Sequence, residues 1–249
     1  MKKNIYILIA LLGMVFYQAQ AQERKVENRP YTDLRTFHFG VLVGTHFQDL
    51  ELLNVGPQTY INEEGQEVSS CVTVDQDRWD VGFTVGVLGE LRLNTHLQLR
   101  VAPAMYFGTR HLTYRNQLEK DSNDQPTEKM QDMKTAYIST AVDLIFAAPR
   151  FNNHRLYLMA GINPMLNLSN TNDDYIKLKK TDLFLEIGVG CDFYLPFFKL
   201  RPELKFMYGI SNSIDKSHVN QIKDKNMLPY AMASKEAHSK MIALTFYFE

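Results

Sequence analysis

Apolar side chains occupy every second position in eight segments of this chain. In the first segment, Phe37, Phe39, Val41 and Val43 alternate with polar or small residues, a period typical of β-strands. The eight segments span residues 37–47, 81–91, 97–107, 138–146, 156–168, 183–195, 200–210 and 242–248. Most contain about ten residues or more, enough to cross a bilayer core as a tilted strand and more than the usual soluble strand. The pattern predicts an all-β fold.

The connections between these segments alternate in length. Long polar connections occupy residues 49–78, 108–133, 169–180 and 212–239. Tight turns lie between them at residues 94–95, 149–154 and 196–199. Strict alternation places every long loop at one end and every turn, with both termini, at the other. Outer-membrane barrels have short periplasmic turns and longer extracellular loops, so we expect an eight-stranded antiparallel up-and-down transmembrane β-barrel of the outer-membrane type, located in the cell outer membrane.

The opposite face of the same segments carries charges and most strand glycines. Eight charged residues define a predicted lumen network: Glu90, Arg100, Asp143, Glu186, Asp192, Arg201, Glu203 and Lys205. The interior of an eight-stranded barrel is only wide enough for side chains, and an unpaired buried charge is costly. We therefore expect these residues to pair and fill the lumen. An acid–base pair or an ion path among Glu186, Asp192, Arg201 and Glu203 is the alternative.

Alternation alone does not decide which face is inside. A soluble lipocalin-like barrel would turn the charged face outward and bind an apolar ligand within. Aromatic residues crowd the segment ends, as in the interfacial girdles of membrane barrels; they include Phe146, Phe151, Phe193, Tyr194, Phe197 and Phe198 at the turns and Trp79, Tyr106 and Phe107 toward the long loops. The last segment ends in Thr245-Phe246-Tyr247-Phe248-Glu249, which resembles a barrel-insertion signal. Both features favour the membrane barrel, with outer-membrane lipid around it.

The N-terminal residues have the pattern of a secretory signal. A basic start is followed by an apolar run over residues 5–17, and Ala19 and Ala21 supply the small residues of a cleavage site. We expect a signal peptide over residues 1–21, a charged periplasmic arm over 22–35 and the barrel over 36–249. An uncleaved anchor helix is disfavoured because the apolar run is shorter than the roughly 20 residues that a span needs.

Composition excludes several other classes of protein. Twenty-seven Lys and Arg against 28 Asp and Glu give a net charge of −1, which disfavours a nucleic-acid partner. A mean hydropathy of −0.26 excludes a helical multi-span membrane protein. Cys71 and Cys191 fall at opposite ends of the predicted barrel, too far apart for a disulfide.

Few residues of the chain form a pattern typical of a catalytic or metal site. His38 and His46 share the inward face of one strand but lie about 26 Å apart, too far to share a metal. The chain has no Gly-x-Ser-x-Gly, His-Glu-x-x-His or phosphate-loop motif. The sequence therefore predicts no catalytic, cofactor or metal site, no small-molecule substrate and no enzyme activity.

Two alternatives stay open at the loop end. His111 is either a solvated loop histidine or part of a catalytic group above the barrel with loop carboxylates such as Asp121, Asp124 or Asp132. The long loops, 49–78 and 212–239 in particular, are either solvated connections or a binding surface outside the cell, since loops on a rigid scaffold commonly carry function. A general adhesin or surface-binding barrel is thus a second candidate function.

The segment over residues 29–40 resembles the start of the PorT family, outer-membrane barrel proteins of Bacteroidota. The residues that carry the resemblance are Arg29, Pro30, Tyr31, Asp33, Phe37, His38, Phe39 and Gly40. Similarity continues through the Trp79-Asp80-x-Gly82 opening of a strand and Arg201-Pro202-Glu203-Leu204-Lys205. The resemblance implies a non-enzymatic assembly or accessory role in type IX protein secretion, with other components of that system as partners.

Overall fold

The computed structural model describes residues 26–120, 124–169, 175–222 and 224–249. The expected signal peptide, with Ala19 and Ala21, lies outside these residues. Eleven strands occur in the described part of the chain: β1 (Phe37–Asn54), β2 (Gln58–Ile61), β3 (Glu67–Ser70), β4 (Val72–Asp75), β5 (Asp80–Arg92), β6 (Leu97–Lys120), β7 (Pro126–Ala147), β8 (His154–Asn167), β9 (Thr181–Tyr194), β10 (Lys199–Gly209) and β11 (Ser234–Phe248). No helix among these residues is long and apolar enough to span a bilayer.

Eight long strands close into a barrel. Each of β5 to β10 pairs antiparallel with the next strand along the chain, and β1 pairs with both β5 and β11, which completes the ring. The β1–β11 ladder runs from Val41 opposite Phe248 up to Asn54 opposite Ser234. Short connections over 93–96, 148–153 and 195–198 lie at one end, called here the turn end. The predicted eight-stranded up-and-down barrel is confirmed.

The apolar face of the strands points outward. Phe39 is 75% exposed and Ile187 is 61% exposed, whereas the side chains of Arg100 and Glu203 are completely buried in the lumen. Lipid can solvate the first pair but not the second, because unpaired charges are expensive in hydrocarbon. The lipocalin-like alternative, with an oily interior and charged exterior, is therefore wrong for this chain.

The predicted long loop over residues 108–133 is wrong. The β6–β7 hairpin continues through it without a break, from Gly108 opposite Thr135 to Asn116 opposite Thr127. The continuation is stable because most of its inward side chains above Arg110 are apolar. Leu112 is buried there between the strands and the other loop-end segments. The hairpin thus rises well above the barrel wall as a two-stranded ribbon.

The other long connections contain structure as well. β2 and β3 form a small hairpin within the first, and β4 pairs with β6 beside the ribbon. The last connection includes two 3-10 turns, the short helix α1 (Leu228–Ala231) and the first residues of β11. Together with the ribbon, they enclose an apolar cluster that includes Leu50, Val72, Val74, Leu112, Tyr114, Met133, Ile176, Leu178, Ile214 and Tyr230. We call this assembly, the described residues of 55–79, 109–136, 175–180 and 211–233, the cap.

Candidate functional site

One ion-pair centre in the lumen is built around Arg201, a fully buried residue of β10. Its Nη1 lies 2.5 Å from Glu90 Oε2 and 2.5 Å from Glu249 Oε1, and its Nε lies 2.6 Å from Asp192 Oδ1. Lys199 also pairs with Glu249. The centre therefore joins β5, β9, β10 and the end of β11 near the turn end.

Arg100 forms the second centre, one layer toward the loop end. Its Nη1 lies 2.7 Å from Glu203 Oε2, and its Nε lies 3.5 Å from Glu90 Oε2. The hydroxyls of Tyr157 and Tyr247 each donate a 2.8 Å hydrogen bond to the Glu203 carboxylate. Glu203 is thus held by three donors from three other strands, which fixes the register of the lumen side chains.

Lys205 organises the third group of charges. Its Nζ lies 3.3 Å from Glu186 Oε1 and 4.0 Å from Glu203 Oε1. Asn163 donates a 3.1 Å hydrogen bond to Glu186, and Asp143 lies 4.0 Å from Arg100. All eight residues of the predicted lumen network are therefore buried together in one continuous set of contacts.

Sequence reasoning missed three members of this set. Glu249, Lys199 and Tyr247 all take part in it. The alternation of β11 already places residues 247 and 249 on the inward side, so the signal was present. The apolar outward residues Phe246 and Phe248 drew the interpretation of this segment toward lipid contact alone.

Above the charges, the lumen is filled by apolar and aromatic side chains. This layer includes Ala104, Tyr106, Tyr137, Met165, Phe184, Met207 and Met241. A polar layer follows, in which Arg110 hydrogen-bonds to Gln48 and Ser239. The cap then covers the loop end. Packed side chains therefore occupy the lumen at every level from Glu249 to the cap.

The two lumen histidines sit in separate layers. His38 Nδ1 lies 3.5 Å from Glu249 at the turn end, and His46 hydrogen-bonds to Thr84 (3.0 Å) in the upper barrel. Among the described residues, no group of three or more His, Cys, Asp or Glu side chains is arranged to hold a metal ion. Cys71 and Cys191 are both unpaired thiols.

The arm, of which residues 26–35 are described, folds back over the turn end. Arg29 donates a 2.9 Å hydrogen bond to the Glu249 main-chain oxygen. Asp33 accepts from Tyr194 and lies 3.4 Å from Arg155. Pro30 and Tyr31 are exposed instead. Within the arm, Arg29 and Asp33 thus fasten the segment, whereas Pro30 and Tyr31 are displayed by it.

Arg150, in the turn between β7 and β8, clamps the arm from the other side. Its guanidinium donates to the main-chain oxygens of Asn28 (2.5 Å) and Arg29 (3.3 Å) and stacks 3.7 Å over the ring of Tyr194. Asn28 also bonds to Asn153 and Tyr194. This density of contacts orders a segment that has no strand pairing of its own.

Of the loop carboxylates named in the alternative for His111, the structure places Asp132 beside it. His111 Nδ1 lies 2.7 Å from Asp80, a residue outside the predicted set, and its Nε2 lies 3.8 Å from Asp132. Asp124 pairs with Lys120 instead, and Asp121 lies outside the described residues. Asp80 also accepts from the His111 main-chain N–H. Asp80 thus bonds to β6 between the part of β6 that pairs with β5 and the part that pairs with β4.

Comparisons with solved structures find small outer-membrane barrels. Neisserial surface protein A is 13% identical to this chain, with 86% of this chain and 98% of that one covered and a TM-score of 0.39. OprG from Pseudomonas aeruginosa is 11% identical, with 84% and 93% covered and a TM-score of 0.41. Ail from Yersinia pestis is 12% identical, with 86% and 99% covered and a TM-score of 0.38. At these identities the likeness concerns the fold alone.

No curated protein matches the chain. A family model does match, described as the outer membrane protein beta-barrel domain, over residues 18–215. The match covers more than half of the chain and includes the barrel from β1 to β10. With the closed eight-stranded ring and its lipid-facing apolar exterior, it assigns the protein to the outer membrane, and the chain belongs to the outer membrane protein beta-barrel domain family.

Proposed function

We propose that this barrel is a non-enzymatic assembly or accessory component of type IX protein secretion. The proposal rests on the resemblance of residues 29–40 to the PorT family together with one structural observation, the filled lumen. The side chains of Arg100, Arg201 and Glu203 are fully buried at its centre. A barrel packed in this way cannot conduct folded cargo, which favours a supporting role beside a separate conduit.

The ordered arm gives such a role a physical basis. By the usual asymmetry of outer-membrane barrels, the turn end faces the periplasm. Arg150 and Tyr194 hold the arm across this end while Tyr31 and Leu34 are 76% and 63% exposed. A rigid segment that displays apolar side chains is suited to contact another protein, because little conformational entropy is lost on binding.

The deciding experiment is a clean deletion in the native host. We expect a reporter protein with a C-terminal sorting domain to remain inside the cell and to be exported again when the wild-type chain is restored. A reporter that uses a different export route serves as the control. Normal export of the sorting-domain reporter in the deletion strain would contradict the proposal.

The cap supports a second candidate, a surface-binding or adhesin barrel. Its apolar cluster, which includes Tyr114, Tyr230 and Ile214, orders parts of the predicted loops 49–78 and 212–239 into one packed body above the membrane. If binding is the function, removal of the β2–β3 hairpin (residues 58–70) abolishes attachment of cells to their ligand while reporter secretion stays intact. Unchanged attachment would exclude that hairpin as the binding element.

A further inference from the structure

A groove lies on the outer wall of the barrel, across β5, β6 and β7 at the upper edge of the apolar band. Its volume is about 690 Å³. The side chains that shape it are Val81, Phe83, Phe107, Thr109, Lys134 and Ala136. Phe83 and Phe107 stack with their ring centroids 5.0 Å apart and form one wall. The small side chains of Thr109 and Ala136 leave the space beside them open.

The level of this groove in the membrane follows from the strand pattern. Outward residues on β7 are mostly apolar from Phe146 up to Ala136, with Thr140 as the polar exception, and the charged Lys134 and Asp132 follow above Ala136. Aromatic girdles mark the lipid–water interface in barrels of this kind, and Phe83, Phe107 and Trp79 lie at this height. The groove therefore spans the boundary between the acyl chains and the headgroups of the outer leaflet.

Three exposed lysines line this boundary on the same side of the barrel. Lys134 lies on β7, and Lys179 and Lys180 precede β9. The strand tops connect them, because the main-chain oxygen of Ala136 accepts from Leu168 N–H and that of Lys180 accepts from Asn167 N–H. Lys134 and Lys180 are thus separated by two strand spacings across the sheet, roughly 10 Å, and by three residues along the strands, roughly 10 Å more. We call these three residues the lysine rim.

The lysine rim is electrostatically unusual in this protein. Other cations at the same height are paired, as in Lys240 with Glu51 (2.8 Å) and Arg78 with Asp80 (3.4 Å). Within the described parts of the chain, the three rim lysines have no carboxylate within ion-pair distance. Asp132, the nearest acid along β7 from Lys134, lies toward His111. The rim therefore presents positive charge to the headgroup layer without an internal partner.

We propose that the groove and the lysine rim bind a phosphorylated lipid of the outer leaflet. One acyl chain lies along Phe83 and Phe107 above the small floor at Ala136. The phosphate contacts the ammonium groups of Lys134 and Lys180, since lysine binds phosphate as a point charge. The proposal does not depend on the role in secretion, because it concerns only the membrane-facing wall of the barrel.

The test uses the folded mature protein in detergent, titrated with dioleoyl phosphatidic acid and followed by native mass spectrometry. We expect the Lys134→Gln/Lys180→Gln double variant to bind at least about tenfold more weakly than wild type, from the usual value of two lysines near a lipid headgroup. Lys235→Gln is the matched control and should bind like wild type, because Lys235 is an exposed lysine at the start of β11 and lies outside the groove. Ala136→Phe should also weaken binding, because it fills the groove without changing the charge.

Three outcomes would overturn the proposal. Dioleoyl phosphatidylcholine bound as tightly as phosphatidic acid would show that charge is irrelevant. Equally weakened lipid binding in Lys235→Gln and in the double variant would show a general electrostatic attraction and no specific site. Displacement of the lipid by inorganic phosphate at equal concentration would assign the lysines to free phosphate rather than to a membrane lipid. Heat-modifiable gel migration of each variant verifies that the barrel is folded before binding is measured.

Discussion

The hydroxyl of Tyr194 donates a 2.7 Å hydrogen bond to Asp33, a residue 161 positions earlier in the chain. Tyr194 ends β9, and Asp33 lies in the arm within a single 3-10 turn, Thr32–Leu34. The same carboxylate lies 3.4 Å from Arg155. One acidic side chain thus ties the segment before the barrel to two strands on its far side.

Removal of this contact should loosen the arm. Asp33→Asn weakens the interactions with Tyr194 and Arg155 and should cost about 1–3 kcal/mol of local stability, as for hydrogen bonds to charged groups. Trypsin added to the turn-end side of reconstituted protein should then cleave faster after Arg35, because Pro30 follows Arg29 and blocks cleavage there. Glu64→Gln, in the β2–β3 turn, is the control and should leave the cleavage rate unchanged. Equal cleavage rates in all three proteins would mean that Asp33 does not fasten the arm.

Arg201 should be among the residues whose loss is most damaging. Arg201→Met leaves Glu90, Asp192 and Glu249 without their shared cation in a buried layer, and breaking such a pair typically costs about 3–5 kcal/mol. Urea unfolding in detergent, read by the shift in gel migration, measures the loss. Arg78→Met is the control because the Arg78 side chain is 67% exposed. A midpoint as high as that of wild type would show that the three carboxylates do not need Arg201.

Two strand glycines provide a matched pair of substitutions. A Cβ at Gly190 would overlap the ring of Tyr157 inside the lumen, whereas at Gly89 it would come no closer than 3.8 Å to Phe39 on the lipid side. Gly190→Ala should therefore destabilise the barrel by about 1–3 kcal/mol through overpacking, and Gly89→Ala should be close to neutral. Thermal unfolding of both variants checks the difference. Equal melting temperatures would contradict the packed lumen.

The filled lumen predicts that the barrel does not conduct ions. Phe184 and Met207 are fully buried in the apolar layer, and charged side chains pack the layer beneath it. Protein inserted in a planar bilayer should give no stepwise current at 100 mV, about 2.3 kcal/mol per elementary charge. A 16-stranded porin recorded in the same bilayer serves as the positive control. Reproducible single-channel steps from the barrel would require an open path that this packing does not provide.

Low pH should weaken the contact between Arg115 and Asp77 in the cap. Arg115 donates to both carboxylate oxygens of Asp77 at 3.1 and 2.8 Å, and these hydrogen bonds hold the pKa of Asp77 below its usual range. A lowered folded pKa stabilises the protein above the unfolded pKa of about 3.9, and this contribution is lost as the pH falls through the folded value. Both side chains are partly exposed, so the effect should stay below about 1 kcal/mol.

Hydrogen exchange of residues 113–116 measures this effect. Protection in wild type should fall between pH 5 and pH 2 relative to Asp77→Asn, in which the carboxylate is absent. Asp224→Asn, a second exposed acid of the cap, is the control and should retain the wild-type response. Identical pH dependence in wild type and Asp77→Asn would show that the Arg115 contact adds no stability.

The sequence foretold the membrane part of the fold well because lipid imposes a strict rule there. Along β6, outward residues such as Val101 and Met105 are apolar and inward residues such as Arg100 are charged. Above Gly108 the rule inverts, and Leu112 points inward to the apolar cluster of the cap. An interpretation that follows the apolar face as the outer one loses the strand at this inversion, which is why residues 108–133 resembled a loop.

The sequence predicted which residues face the lumen but not which of them contact each other. Alternation assigns Glu203 and Arg100 to the same face, yet their 2.7 Å contact depends on strands 103 residues apart in sequence. The His111 partner was missed for the same reason. Asp80 reaches His111 because β5 begins at Asp80 while its neighbour β6 continues beyond that level, and no local pattern marks that difference in strand length.

The inversion of polarity along β6 also marks where this strand passes from lipid into water. Below Gly108 the outward side chains of the β6–β7 hairpin suit a hydrocarbon environment, and above Arg110 they suit an aqueous one. Each pair of residues advances the strand by roughly 7 Å, so the change from apolar to polar outward residues is completed within a short distance on either side of Thr109. The level at which this hairpin leaves the lipid is therefore set by a few adjacent side chains.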